Sequence, residues 1–178
     1  MPGQSLERDL LKAFREYIDT TGTKAYAYRN KQYRYQDQTF DLFIDSLDPG
    51  LYLAIEVKSL DADKLKVLYF SSHFTSSPKG HQIEREEKIL ELSGRNGFLA
   101  VEARRKRPNR SSVFFVPFSV VWYHYSSKEK GLDAGVITQA PSIIKEQGKY
   151  TIDSEFIKKL FVYSARRYDK YKSKWSKW

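Results

Sequence analysis

Amphipathic helices interleaved with short apolar strands predict an α/β fold for this chain. Three observations carry that prediction. Thr39–Leu60 alternates apolar and polar residues with period two on either side of a turn at Asp48-Pro49-Gly50. Ser5–Ile18, His81–Gly94 and Ile152–Arg166 space their apolar residues as one face of a helix does. Gly97–Ala103 and Ser112–Pro117 are short β-branched and aromatic runs that read as two more strands.

The Thr39–Leu60 hairpin holds the chemistry. Phe40, Leu42 and Ile44 share one parity and Asp41, Phe43 and Asp45 the other. In the second run Leu53, Ile55 and Val57 take one face, while Ala54, Glu56 and Lys58 take the opposite one. Side chains two apart on a strand project from the same side, so Glu56 and Lys58 are neighbours. If the two strands pair across the turn, Asp41 joins them. Charges set in an apolar run must be paired, hydrated or metal-bound. The same pattern also suits a surface hairpin whose Glu–Lys pair is worth little.

The first helix has Ser5 as its cap, Leu6, Leu10, Leu11, Phe14 and Ile18 as its apolar stripe, and Glu7 near its positive end. Thr20–Gly22 ends it. Ala25–Tyr28 reads as a short strand, followed by a basic and aromatic loop with Arg29, Lys31 and Arg34, which suits either a solvated tip or phosphate contact. Leu60–Phe70 reads as a short helix or strand, and Ser71–Gly80, including Lys79, as a polar loop. In the helix from His81, Ile83, Ile89, Leu90 and Leu92 are expected inward and Glu84–Glu87 largely outward, with Gly94 as the stop. Gln82, in its first turn, can point back toward the Glu56–Lys58 strand.

Arg104–Arg110 puts five basic residues (Arg104, Arg105, Lys106, Arg107, Arg110) in seven positions between two strands, as a solvated loop or a DNA-backbone contact. Phe118–Tyr125 reads as an aromatic segment on the sheet and Lys128–Tyr150 as irregular connection. The last helix has Asp153 or Ser154 as cap and Phe156, Ile157, Leu160 and Phe161 as its apolar face. The tail Arg167–Trp178 interleaves lysines with Tyr and Trp, as a frayed terminus or a base-stacking segment.

At 178 residues the chain is expected to form one domain, with a core over about 3–125 and an extension over 126–178. It has no cysteine, which excludes disulfides and thiolate metal sites. No apolar run is long enough for a membrane, and the N-terminus lacks a signal-peptide core, so a cytoplasmic protein is expected. A net charge of +9 with 13 tyrosines suits an anionic polymer as partner. His73, His81 and His124 lack metal-ligand spacing.

Taken in order, a helix with Glu, a strand with Asp, a Glu-x-Lys strand and a helix opening on Gln resemble the PD-(D/E)XK nuclease superfamily. Within it, GQSLERDLLKAF, LAIEVKS, HQIEREEKI and GFLAVEA resemble the Holliday junction resolvases of the archaeal and RecU types, over roughly Gly3–Tyr123. Phe40 stands where that family usually has proline before the aspartate.

The resemblance implies a restriction-endonuclease-like core, a mixed central sheet flanked by helices. It implies Mg²⁺-dependent phosphodiester hydrolysis, with Mn²⁺ as a substitute. Asp41, Glu56 and the Val57 carbonyl would hold the metal, and Glu7 would orient a water or complete a second metal site. Lys58 would position the attacking water or stabilise phosphorane charge, and Gln82 would hold the scissile phosphate or the water. Asp45, farther along the Asp41 strand, is not expected to be a ligand. Resolution of a four-way DNA junction implies a homodimer whose basic segments track the junction arms, and a nucleoid-associated setting of cellular, viral or mobile-element origin. A duplex-cutting restriction or repair endonuclease, a non-catalytic DNA-binding protein and, remotely, an RNA-binding module remain the alternatives.

Overall fold

The computed structural model describes residues 2–30, 39–105 and 111–175. Its centre is a six-stranded mixed sheet in the order β1 (Ala25–Arg29), β2 (Leu42–Ser46), β3 (Leu53–Asp61), β7 (Asn96–Arg104), β8 (Ser112–Pro117), β10 (Ser142–Ile144). All neighbours are antiparallel except β3 and β7, which run parallel from Leu53↔Asn96 to Asp61↔Arg104. A parallel pair needs a long crossover. Here the crossover contains β4 (Val67–Tyr69), α2 (Phe70–His73), a small hairpin of β5 (Ser76–Ser77) and β6 (Gly80–His81), and α3 (Gln82–Ser93).

Two cores lie on the two faces of the sheet. α1 (Pro2–Thr21) and α6 (Ser154–Trp175) cover the first, where Leu6, Leu10 and Phe14 meet Ile55, Val57, Phe98, Phe115, Phe156 and Leu160. α3 and α4 (Phe118–Ser126) cover the second, where Ile83, Phe118 and Val121 pack on Phe40, Ala54, Leu99 and Val101. Gly97 permits this second contact: a Cβ there would lie 2.3 Å from Leu90 Cδ1 and 2.9 Å from Phe118 Cβ. Period-two alternation along β3 serves both faces, so its odd residues are core and its even ones carry Glu56 and Lys58.

Several expectations need correction. The first helix begins at Pro2, so Ser5 lies within it and is not its cap. Phe40 does not share a face with Leu42 and Ile44: Asp41 is a bend ahead of β2, and Phe40 swings into the second core against Phe118. Leu92 is 80% exposed, whereas Glu86, expected outward, is fully buried. Ser71–Gly80 contains α2 and the β5–β6 hairpin. The stretch expected to be irregular contains β9 (Gly131–Asp133), α5 (Ala134–Thr138) and β10. β9 pairs with β4, and β10 forms an edge of the main sheet.

Asp153 is the cap of α6, accepting from Phe156 N at 2.7 Å. The α6 backbone stays helical through most of the expected tail, to Trp175. Among the described residues no helix is long and apolar enough to cross a membrane.

Candidate active site

Asp41, Glu56, Lys58 and Gln82 come together on the second face of the sheet. The bend at Asp41 is held by backbone bonds on both sides, Asn30 N to Asp41 O at 2.8 Å and Asp41 N to Ile55 O at 3.1 Å. Its carboxylate then accepts from Val57 N at 2.8 Å, which ties the bend to β3 between Glu56 and Lys58. Glu56 is fully buried, and Lys58 Nζ donates to its Oε1 at 2.5 Å. The same ammonium lies 4.9 Å from the centre of the Phe74 ring.

Gln82 opens α3 because His81 caps that helix. His81 Nδ1 accepts from Ile83 N at 3.3 Å, and Glu84 Oε2 accepts from His81 N at 3.0 Å. This places the Gln82 amide, fully buried, against Glu56: Nε2 donates to Glu56 Oε1 at 2.9 Å. It also donates to Glu86 Oε1 at 2.7 Å, and Gln82 Oε1 accepts from Thr75 N at 3.1 Å. Both ends of the amide are therefore bonded to protein atoms.

Glu86 is the residue that sequence reasoning missed. It lies four positions after Gln82, hence on the same side of the helix, and that spacing was the available signal. One oxygen each of Glu56 and Glu86 is buried without a hydrogen-bond partner. Two carboxylates cannot bond one another unless a proton lies between them, which accounts for these two atoms.

The electrostatics follow from the crowding. Burial, then the charge of Glu56, pushes the Asp41 carboxyl up to about 8, against the pull of the Val57 N–H. Burial and Glu56 likewise raise Glu86 well above the ordinary carboxylate range. For Lys58, burial pulls downward, but Glu56, Asp41 and Glu86 outweigh it and its pKa is raised. Lys58 is thus held as an ammonium.

Around this centre, Glu7 on α1 pairs with Arg29 at the end of β1, and its charge also acts on Asp41. Asp45 pairs with Arg95 at 2.5 Å. Lys79 is exposed in the turn between β5 and β6, and Arg104 and Arg105 lie at the end of β7. Lys31, Arg34, Lys106, Arg107 and Arg110 fall outside the described residues. On the other face, Glu102 accepts from Tyr150 Oη at 2.8 Å and from Ser59 Oγ, so the C-terminal segment braces β3 one residue beyond Lys58.

The residues fit a hard divalent cation. Three buried carboxyls, Asp41, Glu56 and Glu86, gather around one ammonium, an all-oxygen donor set in which a cation could take the place of the protons that crowding keeps on Asp41 and Glu86. Among the described residues no three Asp, Glu, His or Cys side chains already converge as a cage. Mg²⁺ does not need one, since it binds through one or two carboxylates and keeps several waters.

No protein-family model and no curated protein matches this chain. A match is found to the solved structure of Hjc, a Holliday junction resolvase from the archaeal hyperthermophile Archaeoglobus fulgidus. Its TM-score is 0.51 at 20% identity, over 88% of this chain and 98% of that one. The likeness thus extends beyond Gly3–Tyr123 into the C-terminal third. In fold, this chain is a restriction-endonuclease-like α/β protein, with a mixed six-stranded sheet flanked by helices.

Proposed function

We propose that this chain is a divalent-metal-dependent endodeoxyribonuclease that resolves four-way DNA junctions as a homodimer. One observation carries the reading: the bend at Asp41 and the alternation of β3 gather Asp41, Glu56 and Lys58 at one point of a restriction-endonuclease-like sheet. The likeness to a Holliday junction resolvase supports the choice of substrate.

In this reading Asp41 and Glu56 would hold Mg²⁺ or Mn²⁺, and the Val57 carbonyl would supply a further oxygen. When bound, the cation supplies Lewis-acid polarisation of the phosphate and a more acidic water. Lys58 acts as a donor rather than a base, because Glu56 keeps it protonated; its compact charge stabilises the phosphoryl oxygens as negative charge builds. The attacking water forms its bond to phosphorus as one phosphate ester bond breaks, its proton passing to solvent and the leaving oxygen taking one from solvent, which gives a phosphomonoester and a free hydroxyl. Gln82 fixes the Glu56 carboxylate, and Glu7, steadied by Arg29, stands beside Asp41 to orient that water. Lys79, Arg104 and Arg105, with the basic residues outside the described segments, track the DNA backbone.

The test compares a four-way junction with its component duplex arms in Mg²⁺, using wild type and Glu56→Gln. Paired symmetric nicks in the junction alone, absent in the variant, are expected. Equal cutting of both substrates would replace the junction reading with a duplex endonuclease. Tight junction binding with no cutting would leave a DNA-binding protein.

A further inference from the structure

We propose that Glu86 is a positioning residue: its carboxylate orients Gln82, and through Gln82 the metal-holding oxygens of Glu56. The inference rests on the proposed nuclease site and adds a residue to it. Gln82 Nε2 has two N–H bonds to give, one to Glu56 Oε1 at 2.9 Å and one to Glu86 Oε1 at 2.7 Å. At its other end Oε1 accepts from Thr75 N at 3.1 Å, which fixes which way round the amide stands. The Glu86 bond uses the second N–H and fixes the rotation of the NH₂ plane. Without it that N–H is buried with no partner, and the amide turns toward any other acceptor.

The alternation of β3 places Glu56 but does not fix the torsions of its side chain. Lys58 Nζ and Gln82 Nε2 both bond its Oε1, and among the described residues no donor reaches its Oε2. Through Gln82, Glu86 acts as outer partners of ligating groups do, where a substitution lowers metal affinity or activity by about 10–100-fold. Glu56, Gln82 and Glu86 are all fully buried, so an N–H of Gln82 left without its acceptor carries a desolvation cost.

Two substitutions separate reach from charge. Glu86→Gln keeps an acceptor oxygen at the same reach and loses the charge. Glu86→Asp keeps an ionisable carboxyl and withdraws the acceptor by one methylene. The expected result is that Gln preserves, and Asp loses, three properties. These are Mn²⁺ affinity of the DNA-free protein read by electron paramagnetic resonance, solvent protection of the Gln82 side-chain amide read by NMR, and kcat at unchanged KM. The expected loss for Asp is about 10-fold or more in affinity and in kcat. If Gln falls as far as Asp, Glu86 acts by charge and the proposal is wrong; if neither falls, it is wrong as well. Should the Asp variant not fold, Glu86→Leu takes its place with the same expectations. Absence of DNA cleavage by wild type would remove the nuclease reading, while the amide and Mn²⁺ measurements would still decide the role of Glu86.

Discussion

Replacing Asp41 by asparagine should stabilise the metal-free protein, and increasingly so as the pH rises. In the folded state burial and Glu56 push this carboxyl from 3.8 to about 8, whereas in the unfolded chain it ionises near its ordinary value. Between those two values the folded state holds a proton that the unfolded state has released. Stability therefore falls as pH rises through that window, fully present below the unfolded pKa and lost toward the folded one. A rise of about four pH units at 1.36 kcal/mol each sets a ceiling of about 5 kcal/mol. Glu56 and Glu7 share the repulsion, so we expect about 2 kcal/mol from Asp41 alone, or about 4–8 °C in Tm for a chain of this size. Asparagine keeps an oxygen for Val57 N, so the bend survives. The assay is thermal unfolding in EDTA at pH 5 and pH 8.5. A gap in favour of Asp41→Asn that widens at the higher pH is expected, and Mn²⁺ should narrow or reverse it by stabilising only wild type. Equal or lower stability of the variant at pH 8.5 without metal would refute the reasoning.

Further outcomes follow from the same packing. Tyr150→Phe removes a buried donor from Glu102 and should lower stability by about 1–3 kcal/mol in urea unfolding. Gly97→Ala forces a methyl against Leu90 and Phe118 and should lower it by about 1–3 kcal/mol, with the loss recovered in part by Leu90→Ala. Lys58→Met leaves Glu56 without its buried cation and should destabilise the metal-free protein by about 3 kcal/mol in the same urea assay. Arg105→Ala should reduce the slope of log binding constant against log salt by about one, with no change in which DNA form is preferred.

The placement of Glu56 and Lys58 was legible because strand parity is local: two-residue alternation puts them on one side whatever surrounds them, whereas Asp41 reaches them from a bend that parity does not describe. The first core was legible for the same reason in Leu53, Ile55 and Val57 of β3, and from helical spacing in α1 and α6. Phe40 was misplaced because a single bend at Asp41 breaks the parity that carried the inference. Glu86 was hidden within Glu84-Arg85-Glu86-Glu87, whose composition reads as solvated surface. Only the docking of α3 shows that one of these four faces Glu56. The short strands β9 and β10 were illegible because they have three residues each and are defined by partners 62 to 66 positions earlier in one case and about 30 in the other. Leu92 shows the converse, an apolar residue in the periodic stripe that packing leaves outside.

The most direct test of the central claim is single-turnover cleavage of a labelled four-way junction in Mg²⁺ by saturating wild type and Lys58→Ala. Wild type should cut both opposed strands, and the variant should bind the junction as tightly yet cut at least about 100-fold more slowly, as expected when one preorganised donor to the transition state is removed. Cleavage by Lys58→Ala at the wild-type rate would contradict the account, because the site assembled by β3 would then not be where the chemistry occurs.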